Sequence, residues 1–233
     1  MKKKILELGM GVLLLVCFLA LSKEAASVTS QAAGKVIVVD AGHGGADPGM
    51  VGIGDLEEKG INLAIAQELK ELLEKDGYQV VMTREEDKGL YQEGSSNKKA
   101  QDMQNRCALI AEEKPAVSVS IHQNSYHENS IFGGQVFYYK TSQKGKVLAQ
   151  ILQKRFDYVL GDANKRMAKA NDNYYLLLHV KQPIVIVECG FLSNKKEAAK
   201  LEQEDYQDQM AWTIHMGIME YLNTVGNRKA NGQ

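Results

Sequence analysis

The chain has 233 residues, with 28 Lys and Arg against 29 Asp and Glu and a formal net charge of −1. Hydrophobic residues make up 44% and charged residues 24%, an ordinary globular composition that excludes a disordered chain and argues against a basic nucleic-acid binder. With a leader of about 30 residues set aside, roughly 200 remain, enough for one well-cored domain.

Lys2, Lys3 and Lys4 precede an apolar run from Met10 to Leu21 that only Gly11 interrupts. This is the pattern of an export signal, and the run is short for a membrane span. Cleavage is expected near Ser22 or Ala26, with retention as an uncleaved, membrane-associated anchor as the alternative. Val16 precedes Cys17 where a lipidation signal needs a small residue, which argues against a lipid anchor. The expected layout is a leader with a short linker over 1–30, a folded domain over 31–225 and a polar tail over 226–233.

Val36, Ile37, Val38 and Val39 are four β-branched residues in a row and predict a strand buried on both faces, ending at Asp40. A turn follows in which Gly42, Gly44 and Gly45 clear the space around His43. The loop continues to Gly60 and carries Asp47, Asp55, Glu57 and Glu58. Ile61, Ala64, Ile65, Leu69, Leu72 and Leu73 then keep helical spacing, and Gly77 closes that helix. Residues 78–82 form a second strand, which completes a β-α-β unit and predicts a parallel pair. Thr83 and Arg84 stand at its end.

After a polar loop at 85–96, residues 97–113 read as a helix that Pro115 ends. Residues 116–121 are the third strand, with His122, Gln123 and Asn124 following. A second polar loop, 125–134, leads to a strand at 135–139 and an amphipathic helix at 144–160. Residues 161–173 read as a polar stretch, and 174–178 as a short strand or extended segment. Residues 183–187 form a strongly buried strand that runs into Glu188, Cys189 and Gly190. Asn194 with Glu197 marks a capped helix start, and a last helix covers 205–222. About six strands interleaved with five helices predict an α/β domain, three-layered, with a twisted, mostly parallel or mixed sheet. Cys107 and Cys189 read as buried free thiols.

His43, His122 and Glu188 each follow a buried strand directly, and in a parallel sheet such positions converge on one edge. Glu58 adds a carboxylate at the mouth of the first helix, where the helix dipole favours an anion. A lone histidine at a strand end is more often a hydrogen-bonded loop residue than a ligand. Two histidines and a carboxylate, with a second carboxylate nearby, have the make-up of a catalytic zinc site. The chemistry assigns His43, Glu58 and His122 as ligands and Glu188 as the acid/base. Spacing alone leaves Asp47, Asp55 and Glu57 in competition with Glu58. His127, His179 and His215 lack this context and are expected to serve packing or surface roles.

The ordered set Asp40-Ala41-Gly42-His43-Gly44-Gly45, Glu58-Lys59, Thr83-Arg84 with Asp87, Arg106, Ser120-Ile121-His122-Gln123-Asn124, and Val187 through Asn194 resembles the zinc-dependent N-acetylmuramoyl-L-alanine amidases. The resemblance spans about residues 35–223. It implies that His43, Glu58 and His122 hold Zn2+, so that Glu58 prevails over its neighbours, and that Glu188 is catalytic. It places Arg106 and Asn124 in substrate-binding or supporting roles. Gln123 stands where a small residue is usual and is expected to narrow the groove. Met167 to Ala170 and Asn173 to His179 add a finer resemblance to the germination-specific amidases of endospore formers. That implies hydrolysis of the amide between N-acetylmuramic acid and L-alanine in peptidoglycan of the spore cortex, toward muramic-δ-lactam. The implied location is extracytoplasmic, in the cell wall or spore cortex. An accessory protein or a second copy of the chain is the expected partner, and substrate grip is expected from loops 85–96, 125–134 and 161–173. The alternatives are a zinc peptidase that cuts within the stem peptide, and a non-catalytic wall-binding or partner-recruiting protein.

Overall fold

A computed structural model describes residues 9–19 and 34–230. The expected leader cleavage positions fall between these stretches, outside the described residues. Residues 9–19 form helix α1, with Leu13, Leu14 and Phe18 exposed. No helix among the described residues is long and apolar enough to cross a membrane.

The strands are β1 (Val36–Ala41), β2 (Gln79–Met82), β3 (Val117–Asn124), β4 (Gln135–Tyr139), β5 (Lys169–Asn171) and β6 (Ile184–Phe191). They form one mixed sheet in the order β2-β1-β3-β6-β4-β5. β1 is parallel to β2 and β3, and β3 to β6; β4 runs antiparallel to β6 and parallel to β5. The helices after α1 are α2 (Glu58–Lys75), α3 (Lys98–Glu113), α4 (Gln143–Leu160), α5 (Tyr175–His179), α6 (Lys195–Leu201) and α7 (Glu204–Ala230). The tail expected from 226 is therefore helical through Ala230.

Strand side chains alternate between faces. Ile37, Val39, Val119, Ile121, Val185 and Val187 are buried in a cluster with the apolar stripes of α2, α4 and α7. Each such side chain contributes about 1.5–3 kcal/mol when fully buried. Val38, Ile184 and Ile186 pack on the opposite face with Ile110 of α3 and Leu176 and Leu177 of α5. By the same alternation Asp40, Ser120, His122 and Glu188 belong to the α3/α5 face. The site therefore sits above the smaller core, at the carboxyl ends of the central strands.

The ends of α2 show how local sequence sets the frame. Gly77 has φ +85, its N–H donates to Glu74, and the Tyr78 N–H donates to Leu73. That is a Schellman closure, which turns the chain directly into β2. At α6 the Asn194 side chain caps the Lys196 and Glu197 N–H groups, as the cap reading predicts. Glu197 does not complete a capping box; its carboxylate instead accepts from the Gly133 and Phe191 N–H groups.

Residues 174–178 are not extended. Tyr175–His179 is a helix, and a short strand, Lys169–Asn171, lies inside the stretch expected to be irregular. An apolar run this short does not distinguish strand from helix by periodicity. The Asn171 side chain decides it by accepting from the Asn173 and Tyr174 N–H groups, an Asx turn that starts the helix and sends Leu176 and Leu177 into the core. The cysteines are free: Cys189 is buried, while Cys107 is only half-buried.

Candidate active site

His43 lies two residues past β1 with φ 62, a left-handed conformation uncommon for a residue with a Cβ. Its backbone is held from below by two buried arginines. Arg106 of α3 donates to the His43 carbonyl at 2.6 Å and to the Ala41 carbonyl at 2.8 Å. Arg84, just after β2, donates to the carbonyls of Ala41, Gly42 and Lys59. Arg106 also pairs with the buried Asp40 at 2.6 Å and with Asp102 at 2.6 Å. Burial alone would raise the Asp40 carboxyl. The Arg106 guanidinium and the hydroxyls of Ser120 and Thr83 outweigh it and hold the group down to about 2.

Glu58 opens α2 on the same helical stripe as Ile61, Asn62, Ile65 and Leu69, which are all buried. That register turns Glu58 inward, at 2% exposure, while Glu57 stays outside the helix with its side chain 49% exposed. Glu58 Oε1 accepts from Asn62 Nδ2 and the Gln123 N–H, and Oε2 from the Met50 N–H. His43 Nε2 is 3.2 Å from Oε2, and His122 Nδ1 is 2.9 Å from Oε1. Burial would raise the Glu58 carboxyl, but its hydrogen bonds with His122 and His43 hold it far below the usual carboxylate range. Burial likewise opposes the charge on His122, and Glu58 overcomes it, so that imidazole is raised.

These three residues form the group of His, Cys, Asp and Glu among the described residues whose ligand atoms lie close enough for a metal, all within 4.8 Å of one another. The fit is chemical as well as spatial. Two imidazole nitrogens and a carboxylate are a catalytic zinc donor set, and each histidine has a ring nitrogen within 3.2 Å of one of the Glu58 oxygens. Asp47 is not part of that set. Its Oδ2 lies 3.0 Å from His43 Nδ1, and it remains ionised, its carboxyl held low against burial by the His43 contact. As an acceptor it favours a proton on Nδ1, so that Nε2, the atom that faces Glu58, is the one available to a metal. Asp55 is exposed on the loop and is not part of the group.

Glu188 is the direct neighbour of His122 across the β3–β6 pair. It is 6% exposed, and its Oε2 has no hydrogen-bond partner among the described residues. Burial pushes its carboxyl up to about 7, with His122 opposing and the Glu58 charge reinforcing. A carboxyl near neutrality suits a group that both takes and gives a proton. Tyr174 stands beside it, its phenol raised to about 12 by burial and by the Glu188 charge. A cleft of about 110 Å³ joins these groups, with Glu188 and His122 at one side, Met103 and Lys99 of α3 on one wall, and Tyr174 and Tyr175 on the other.

The structure thus brings His43, Glu58, His122 and Glu188 together. Arg106 reaches the cleft only from beneath, at 1% exposure, and holds the loop. The Asn124 side chain accepts from the Ser125 N–H and does not line the cleft. Gln123 does not narrow the groove: alternation turns it to the opposite face, where its amide donates to Asn62. The supporting roles of Asp40, Arg84 and Asp47 carry no distinct signal of their own in a single sequence, because they depend on backbone groups that come together only in the fold. The remaining histidines lie elsewhere, His215 pairing with Asp76 at 2.7 Å and His127 exposed on its loop.

A family model described as N-acetylmuramoyl-L-alanine amidase matches residues 37–220. The germination-specific N-acetylmuramoyl-L-alanine amidase of Bacillus subtilis (strain 168) is 36% identical over 197 residues, covering 83% of this chain and 82% of that protein. The solved CwlD amidase from Clostridioides difficile, in complex with the GerS lipoprotein, is 40% identical, covers 82% of this chain and 100% of its own, and superposes with a TM-score of 0.79. The catalytic domain of CwlV, an amidase from Bacillus (Paenibacillus) polymyxa var. colistinus, is 34% identical with a TM-score of 0.71, over 81% of this chain and 98% of that one.

Proposed function

The chain belongs to the N-acetylmuramoyl-L-alanine amidase family, and from that premise we propose that His43, Glu58 and His122 hold a zinc ion and that Glu188 is its acid/base. The enzyme hydrolyses the amide between N-acetylmuramic acid and L-alanine in peptidoglycan, outside the cytoplasm. The observation that carries the assignment of roles is the lateral pairing of His122 with Glu188, whose free Oε2 lies beside the three-donor cluster.

A zinc ion held by His43, Glu58 and His122 would supply a Lewis acid for the amide carbonyl and would make water a better nucleophile at neutral pH. Glu188 takes the proton from the attacking water on its carboxylate and returns it to the alanine nitrogen as the C–N bond breaks. His43 is kept in the required tautomer by Asp47, and Arg106 and Arg84 fix the loop that carries it. Met103, Tyr174 and Leu176 wall the cleft and limit water around the reacting bond.

The substrate is spore-cortex peptidoglycan, and removal of the stem exposes the lactyl carboxyl needed to close muramic-δ-lactam. The support for this is the likeness to the germination-specific and CwlD amidases. The complex of the latter with a lipoprotein supports an accessory protein partner for this chain as well. Zinc-loaded protein is expected to release whole stem peptides that begin with L-alanine, read by mass spectrometry. Glu188→Gln should retain zinc and lose roughly 10²- to 10⁴-fold in turnover. Shortened stems, or full activity in that variant, would overturn the reading.

A further inference from the structure

A second and larger cavity, of about 730 Å³, opens away from the cleft. Its walls come from four places: Ile53 in the loop before α2, Phe132 and Asn129 in the loop before β4, Ala163 and Asn164 after α4, and the exposed side of α6 with Tyr206. Phe132 and Ile53 are apolar yet exposed, at 44% and 43%. Around them stand Lys195, Lys196 and Lys200, exposed and without an ion pair among the described residues. The carboxylate inside the wall, Glu197, is buried and occupied by the Gly133 and Phe191 N–H groups. The groove therefore offers an apolar floor beside three exposed lysines, of which Lys200 also stands over the Tyr206 ring at 5.6 Å.

We propose that this groove binds the carboxylate-bearing distal part of the stem peptide, a subsite that rests on the amidase reading. Two observations support this occupant. One is charge: a peptidoglycan stem is an acidic peptide, and the lysines complement it. The other is reach. Phe191, which holds Glu197, lies three residues beyond Glu188 on β6, roughly 10 Å along the strand. An extended tetrapeptide spans about 13 Å, longer than that separation along β6. Ile53 continues the path: its N–H donates to the Leu192 carbonyl, and its loop also supplies the Met50 N–H to Glu58. The lysines act as solvated point charges, so the contribution is to binding and falls with salt.

The test uses muramoyl tetrapeptides whose stem carboxylates are either free or amidated, with the full zinc-loaded chain and its K196E/K200E variant. Both changed residues are exposed and outside the catalytic cleft, so kcat on the amidated stem should not change. Wild type should show a KM several-fold to about tenfold lower for the acidic stem, the size of two exposed charge contacts. The variant should lose that difference, and 0.5 M salt should shrink it in wild type. Equal KM values for the two stems in wild type, or an equal rise for both in the variant, would overturn the proposal. Calorimetry with the free acidic stem peptide separates the two readings. Binding that the variant loses, in a protein that releases no stems, keeps the groove and removes the amidase. Release of stems with no binding of the free peptide and no charge preference does the reverse.

Discussion

The two ring nitrogens of His43 meet different carboxylates. Nδ1 faces Asp47 at 3.0 Å and Nε2 faces Glu58 at 3.2 Å. Only the second contact lies within the group that could hold a metal, so the proposed role of Asp47 is through the imidazole and not on the ion. Asp47→Ala should therefore leave a bindable site with zinc affinity reduced about 10- to 100-fold. Competition with a chromogenic chelator would show this, and unchanged affinity would refute the role. A second consequence concerns Asp40, whose folded carboxyl sits at about 2 against an ordinary 3.8. A carboxyl that is lower in the folded state stabilises the protein above its unfolded value, and that contribution disappears as pH falls through the folded one. The window is thus about pH 4 down to about pH 2, and the gap corresponds to roughly 2 kcal/mol. Asp40→Asn should be less stable than wild type by about that much or more at pH 7 in urea unfolding, with the difference closing toward pH 2. A constant difference would show that Asp40 is not the titrating group. His43, His122 and Glu188 were legible in sequence because each ends a buried strand. Asp40 has the same position and opens the ordered motif set, but its role was not legible, since it accepts from Arg106, Ser120 and Thr83, three residues far from it in the chain.

Helix α2 shows what an element adds to residue types. Four carboxylates lie between 47 and 58, and their spacing from His43 does not rank them. The helix does: Glu58, Ile61, Asn62, Ile65, Leu69 and Leu73 form one buried stripe. Stepping back one turn from Ile61 along the apolar stripe arrives at Glu58, so the choice was contained in the periodicity once the helix is started at 58 and not at 61. Glu57 faces away and pairs with Lys59. Zinc content after dialysis should therefore be near one per chain for Glu57→Gln and near zero for Glu58→Gln, and the reverse order would remove α2 as the ligand helix. The loop before α2 has the complementary constraint. Gly49 has φ +70, and a Cβ there would stand 2.6 Å from Glu58 Oε2 and 2.7 Å from the His43 ring. Helix α5 was the element misread as extended. Its Leu176-Leu177-Leu178 run has no usable period, and the Asx turn at Asn171 that starts it is a side-chain contact three residues upstream.

At the scale of the molecule, the two hydrophobic cores of the sheet and its helices contain none of the proposed zinc donors. The larger core runs under β1, β3 and β6 and is closed by α2, α4 and α7. The two proposed histidine donors sit at strand ends and the proposed carboxylate donor at the start of α2, cross-braced by Arg84, Arg106 and Asn62. This frame was readable from the alternation of strand and helix patterns, whereas the antiparallel insertion of β4 beside β6 was not, because it depends on pairing that no local pattern specifies. A frame of this kind predicts how the protein responds to chelation. A structural zinc site supplies the folding energy, and its removal unfolds the domain. Here removal should abolish hydrolysis and leave the far-ultraviolet circular dichroism spectrum unchanged. Zinc should act on stability only through binding to the folded state, about 2.7 kcal/mol at a concentration 100-fold above Kd. For a domain of this size that is a rise of roughly 5–10 °C in the midpoint of thermal unfolding, growing with the logarithm of zinc concentration. His122→Ala should keep the metal-free midpoint within a few degrees and lose the zinc-dependent rise. A chelated protein that lacks helical signal, or a rise that survives in His122→Ala, would mean that the ion holds the fold together or binds elsewhere.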